Sequence, residues 1–224
     1  FVLLGAAMLW LGWFGFNGGS SLAADGIAIS AFLNTNTAAA TAMVVWVAMD
    51  GLRGHKPSAM GAAIGAVVGL VAITPCAGWV SVGQSICIAM IITICCNLAC
   101  SWKGFGNILD DALDVFPTHG LGGIIGTVLT GIFAYDFFAQ SDPEMISRTE
   151  FFWNHIVVLL MVFAYTFLMS YALYWLTDKI VPMRVSKRNE QIGLDLTQHD
   201  EVYGGETGIA EDSMSLQDWY RNME

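Results

Sequence analysis

Asp110-Asp111-Ala112-Leu113-Asp114-Val115-Phe116-Pro117-Thr118-His119-Gly120-Leu121-Gly122-Gly123 opens on acidic residues, is interrupted by a proline and continues as a glycine-rich apolar run to Ala134. A helix starting near Asp111 puts His119 eight residues in, or about 12 Å along the axis. In a hydrocarbon core about 30 Å thick, that depth is well inside the membrane, toward the side from which the chain enters. An imidazole there has two readings. It is satisfied by a carbonyl of a neighbouring helix, or it lines a polar pathway, which is what an ionisable group in hydrocarbon usually marks. Pro117 and the flanking glycines favour the pathway, because broken and closely packed helices often line transport sites.

The rest of the chain supports a membrane setting. Hydrophobic residues make up 55% and charged residues only 12%, and the mean hydropathy is +0.59. With repeated apolar runs near 20 residues, this is the composition of a polytopic membrane protein. Six spans are expected, at about 1–22, 31–49, 58–75, 82–101, 112–135 and 152–178. Helices fit them and barrel strands do not, since strands would show alternating ten-residue segments. The expected fold class is therefore all-α, a polytopic helix bundle over residues 1–180, followed by a soluble tail over 181–224 whose polar, acidic end after about 204 reads as disordered or as a binding segment that folds on contact. Phe1 is not a start methionine and no charged segment precedes the first apolar run, so the chain reads as a fragment or processed piece.

Charge sets the orientation. The formal net charge is −10, but nine acids and four bases lie after Pro182, so half the excess belongs to the tail. Arg53 and Lys56 follow span two, Lys103 follows span four, and Lys179, Arg184, Lys187 and Arg188 follow span six. Arg148 alone among Lys and Arg falls on the other side, and the positive-inside rule puts the tail in the cytoplasm. No basic patch points to nucleic acid. Cys76, Cys87, Cys95, Cys96 and Cys100 lie in or beside apolar runs without metal-ligand spacing, so packing is expected, with no metal, cofactor or disulfide framework.

Close helix packing is written into the glycines. Gly61, Gly65 and Gly69 recur every fourth residue in span three, and Gly122 and Gly126 do so in span five. Small residues at that spacing let backbones approach. In span one, Trp13, Phe16 and Ser20 are spaced by three and four and share a helix face. Such a stripe is packing, an interfacial belt, or a place where a small cation meets an aromatic face and a hydroxyl. Asn17 and the flanking glycines favour the last. His55 and His199 lie in charged segments and read as solvated, while His155 opens the last span as an interfacial or lipid-side residue.

Trp13-Phe14-Gly15-Phe16-Asn17, Asn34-Thr35, Ile73-Thr74-Pro75, Asp110–Gly123, Gly131-Ile132-Phe133-Ala134 and Gly193-Leu194-Asp195 occur in one order. In these motifs the chain resembles the ammonium transporter family (Amt/MEP, distantly Rh), from about residue 1 to Tyr203. The resemblance implies an eleven-helix subunit built of two inverted five-helix repeats and a last helix, assembled as a homotrimer with a pore in each subunit. This chain resembles the second repeat, the last helix and the tail. His119 then matches the second of two pore histidines, Phe16 the inner ring of a phenylalanine gate, Trp13 an aromatic lining the pore beneath it, and Ser20 a hydroxyl of the outer ammonium-recruiting site. Asp110, Asp111, Asp114 and Pro117 match the acidic start of the histidine-bearing helix, where carboxylates suit a capping role. The first histidine belongs to a part of the family fold outside this chain.

The implied function is channel-like transport of ammonium or ammonia across the plasma membrane, with methylammonium as analogue and no enzymatic step. A charged group at the bilayer centre costs about 2.5 to 17 kcal/mol. A pore lowers that barrier by removing the proton and passing ammonia along imidazoles that accept at one nitrogen and donate at the other. A non-conducting ammonium sensor and an Rh-type gas channel are the alternatives. A membrane enzyme lacks paired carboxylates or a nucleophile–base set. In the tail, Ile192, Leu194 and Leu196 surround Gly193 and Asp195, which suits docking on cytoplasmic loops, and the resemblance implies docking on a neighbouring subunit. Thr197 matches a phosphorylation position of plant relatives, so a kinase or a cytoplasmic regulatory protein is an expected partner. Two features depart from the family. Span four carries bulky and cysteine side chains where relatives are often glycine-rich, and Gln198-His199-Asp200-Glu201 has no glycine after the histidine.

Overall fold

Asp25 stands between the first two apolar runs and takes up the Ala28 N–H at 2.9 Å, which starts the second helix at Gly26, five residues earlier than hydropathy alone suggests. The same carboxylate accepts the Ser21 hydroxyl, and these two donors hold it below the usual carboxylate range. The computed structural model describes residues 1–102, 110–142 and 144–201. Lys103 and the tail after Glu201 lie outside the described residues, as does the expected disorder beyond 204.

The described elements are α1 (Val2–Gly19), α2 (Gly26–Leu52), α3 (Ala59–Ile73), α4 (Val82–Ser101), a π-helical turn (Phe116–Gly120), α5 (Leu121–Phe133), α6 (Tyr135–Ser141), α7 (Arg148–Ile180), α8 (Lys187–Ile192) and α9 (Leu194–His199). There is no strand among the described residues. Among the described residues, five stretches have the length and apolarity to cross a membrane: α1, α2, α4, Phe116–Gln140 and α7. α3 is the exception among the six expected spans. Its 15 residues are about 22 Å long, and it stops before Pro75, which offers no N–H to a continuing helix.

Side-chain caps set several helix starts. Ser58 accepts the Gly61 N–H at α3, and at α4 Ser81 and Gln84 form a reciprocal capping box. Packing then sets directions. Gly61, Gly65 and Gly69 face Trp46, Ala42 and Ala38 in descending order, so α2 and α3 are antiparallel. Ser85 donates to the Asn34 carbonyl, and Asn97 donates to Asp50 further along both helices, so α2 and α4 are parallel. Gly122 meets Val71 and Gly126 meets Ala72 and Pro75, which makes α5 parallel to α3.

The core is the α2–α3–α4 seam. A Cβ added at Gly69 would lie 2.4 Å from the Ala38 carbonyl oxygen, and one at Gly65 2.6 Å from the Trp46 Cβ. Only hydrogen fits there, so the fourfold glycine spacing reflects backbone contact. α4 buries Ser85, Ile88, Ala89, Ile92, Thr93, Cys96 and Asn97, one unbroken helical face. Its bulky and thiol side chains therefore pack well without glycine. Contacts divide the described chain into one unit ending at Ala164 and another from Tyr165 onward. In the second unit, α8 is capped by Ser186 and braced by Arg184 on Glu190, and Gly193 joins it to α9 at φ +114°, a backbone state that suits glycine.

Candidate functional site

The histidine-bearing element begins later than expected. Asp114 takes φ +53°, outside the helical region, and the helix starts only after it. Asp111 takes up the two freed amides, Val115 N–H at 2.9 Å and Phe116 N–H at 2.7 Å. Those bonds, Phe116 first, hold the Asp111 carboxyl below its ordinary value. Pro117 follows in the first turn, where its missing N–H leaves no bond unmade. His119 therefore lies in the opening turn and not eight residues deep.

That turn is π-helical, an arrangement found mostly as single turns and often at functional sites. Thr118 is buried and His119 exposed on the surface of the described bundle. The Thr118 hydroxyl donates to the Asp114 carbonyl at 2.6 Å and faces His119 Nδ1 at 3.1 Å. With the hydroxyl hydrogen on Asp114, Nδ1–H donates to Thr118 and Nε2 keeps its lone pair. The imidazole is oriented from behind and presents an acceptor.

On α1, the Trp13 indole N–H donates to Thr74 Oγ1 at 2.8 Å. The Phe16 ring lies 5.6 Å from the Trp13 ring, tilted by 54°, and is 63% exposed. Ser20 ends the helix with its hydroxyl on the Phe16 carbonyl at 2.7 Å. Asn17, which is buried, donates to Thr35 at 2.9 Å and ties α1 to α2. Because α1, α3 and α5 run one way, heights can be compared. Gly126 packs against Ala72 and Pro75, the level of α3 at which Thr74 takes the Trp13 indole N–H. His119, seven residues before Gly126, is about 10 Å nearer the Arg53 end, while Phe16 and Ser20 lie beyond Trp13 toward the Asp25 end. The structure thus stacks Ser20, Phe16 and Trp13 on one side of the His119 level.

Other residues fall elsewhere. His155, expected as an interfacial or lipid-side residue, is half-buried, with its ring 4.4 Å from that of Phe151 at a tilt of 52° and its side chain set against Gly131. Its Nδ1 bonds the Phe151 carbonyl. Arg53 reaches the Asn97 carbonyl and Ser101, and Asn97 reaches Asp50, forming a polar latch at the end of α2 and α4. Asp110 is exposed. In the tail, Thr197 donates to the Gly193 carbonyl at 2.8 Å, and Asp195 lies against Gly193. An open cavity of about 430 Å³, lined among others by Ile27, Ser30, Trp79, Gln84 and Phe133, lies at the Asp25 end and includes none of the expected pore residues. Among the described residues no metal-competent group of His, Cys, Asp or Glu occurs. Thr74 and Thr118 stand inside motifs quoted from the sequence, but neither was given a role there. The signal was a hydroxyl beside proline in an apolar run.

Long apolar helices packed backbone to backbone, with an imidazole and an aromatic pair on the bundle surface, define an integral membrane protein. The model of the Ammonium Transporter Family matches residues 1–203, and the chain belongs to that family. It is 41% identical over 203 residues to a putative ammonium transporter of Methanothermobacter thermautotrophicus, covering 89% of this chain and 50% of that protein. The crystal structure of Candida albicans Mep2 matches with a TM-score of 0.74 at 34% identity, over 83% of this chain and 42% of Mep2. A structure described as a sensor Amt protein matches with a TM-score of 0.75 at 29% identity, over 88% of this chain and 48% of that one. The chain spans about half the length of the curated relatives it matches.

Proposed function

We propose that this chain supplies part of a channel-like transporter that conducts ammonium or ammonia across the plasma membrane, with its C-terminal tail in the cytoplasm. Family membership across residues 1–203 is the observation that carries this reading. The geometry supports it. Ser20, Phe16 and Trp13 form the outer approach, where a cation meets a hydroxyl and aromatic faces. Loss of a proton from the ion to water at the outer approach spares it the cost of the apolar interior. His119 then offers Nε2 as an acceptor to the N–H groups of passing ammonia, while Thr118 holds the ring through Nδ1. Asp111 and Pro117 set the turn that presents it.

The test is ammonium-driven uptake or current by the full-length protein in liposomes, against His119→Ala at equal protein amount. Equal rates would remove the pore role of His119. A second reading, an ammonium sensor, is favoured by the likeness to the sensor Amt structure. Wild-type protein that binds methylammonium without passing it would select that reading. The proposed assembly is a homotrimer, which light scattering of the detergent-solubilised protein measures.

The tail is proposed as a control element. The Thr197 hydroxyl closes the α8–α9 joint on Gly193 O. A phosphate there brings about −1.5 to −2 charges beside Asp195, Asp200 and Glu201 and removes that donor. Thr197→Asp is expected to lower transport and Thr197→Ala to retain it. Equal uptake by both would leave the tail a structural strap.

A further inference from the structure

Thr74 sits where α3 ends, and its hydroxyl is used twice. The hydrogen goes to the Leu70 carbonyl at 2.7 Å, and the oxygen takes the Trp13 indole N–H at 2.8 Å across 61 residues of chain. An indole has one donor and no acceptor, so that bond uses the whole polar capacity of Trp13. The same turn of α3 runs on into Pro75. A Cβ at Gly126 would meet the Ala72 carbonyl oxygen at 2.9 Å and the Pro75 ring at 3.3 Å. One segment, Leu70–Pro75, therefore holds the Trp13 indole on one side and sets the height of α5, with the His119 turn at its start, on the other.

We propose that Thr74 is a positioning residue: through its hydroxyl it fixes the Trp13 indole, and with it the braced Phe16 ring, in the orientation that sets which ammonium-type cation passes. Phe16 is 63% exposed and leans on Trp13 at 5.6 Å, so rotation of the indole moves both rings. Valine has the shape of threonine but leaves the indole N–H without an acceptor, whereas serine keeps both bonds. The selectivity half of this inference rests on the transport reading; the orientation half rests on the hydrogen bond alone.

Two measurements on the full-length protein separate those halves. In ligand-free protein, the Trp13 indole N–H resonance, assigned with Trp13→Phe, should move in Thr74→Val and stay in place in Thr74→Ser. In transport, Thr74→Val should shift the ratio of ammonium to methylammonium uptake about threefold to tenfold, the range one lost hydrogen bond spans. Thr74→Ser should hold the wild-type ratio. An unmoved resonance in Thr74→Val, or the same ratio in Thr74→Val and Thr74→Ser, overturns the proposal. If the wild type passes no ammonium, the transport reading fails and the resonance decides the positioning role by itself. Should Thr74→Val fail to fold, hydrogen exchange at the wild-type indole decides: slow exchange supports the bond, and exchange as fast as in a solvent-exposed tryptophan overturns it.

Discussion

The α2–α3 seam and the His119 turn are both glycine-bearing, yet they are built in opposite ways. Along the seam, Gly65 and Gly69 put backbone against backbone with no room for a methyl group, while Gly61 faces the side chains of Asp50, Ser58 and Trp46. Around His119, Asp111 and Thr118 shape a turn through individual hydrogen bonds, with Pro117 in its first turn, and the imidazole stays on the surface of the described bundle. Stability is concentrated in contacts without slack, while the proposed site sits on elements held by hydroxyls and carboxylates. Interiors packed to native density transmit strain, so a site set by a few directional bonds can be altered without unfolding the bundle.

That contrast can be broken at its tight end first. Gly69→Val should give the largest effect, loss of folded, monodisperse protein, because the side chain must displace the Ala38 and Ala39 backbone. Gly69→Ala should cost about 1–3 kcal/mol or more, as overpacking does. Normal thermal stability of Gly69→Ala would mean that the seam opens easily. His119→Ala comes next: uptake falls near background while the amount of folded protein stays unchanged, since an exposed imidazole contributes little packing. Loss of both together would place His119 in the structural set.

Gly126→Ala probes the boundary between the two regions. Its methyl group meets Ala72 O and Pro75, so stability should fall by about 1 kcal/mol or somewhat more, and the ammonium to methylammonium ratio should change as α5 shifts. Smaller still is Asp111→Asn. The Asp111 carboxyl is held below its ordinary value in the folded chain, so its contribution is present above the unfolded pKa of about 3.9 and is lost as the pH falls through the lower folded value. The thermal midpoint gap between wild type and Asp111→Asn should be open at pH 7 and close below about pH 4. A gap independent of pH would remove the charged cap. Gly123→Ala is the smallest, because nothing lies within 4 Å of its Cβ position. It should be neutral or gain up to about 1 kcal/mol.

Much of this was legible from residues alone. Fourfold glycine spacing implies close approach because a helix brings every fourth residue near one face, and α4 shows a continuous buried face for the same reason. The start of the His119 element was not legible. The expected span ran from Ala112 across Asp114, and the Asp114 backbone at φ +53°, paired with the Asp111 cap, delays the helix. The length of α3 was also overestimated, since the apolar run was carried through Thr74 to Pro75 while the helix ends at Ile73, before the proline.

Composition and apolar length determined by themselves that this is a polytopic helical membrane protein, because periodicity and apolar length are properties of the local chain, while the order of the quoted motifs carried the resemblance to the ammonium transporter family. Tertiary structure alone decided which hydroxyl holds which ring. Trp13 and Thr74 are 61 residues apart, and only the packing of α1 on the end of α3 brings donor and acceptor to 2.8 Å. A hydrogen bond depends on distance and angle across space, and no local pattern encodes those when the partners lie on different helices.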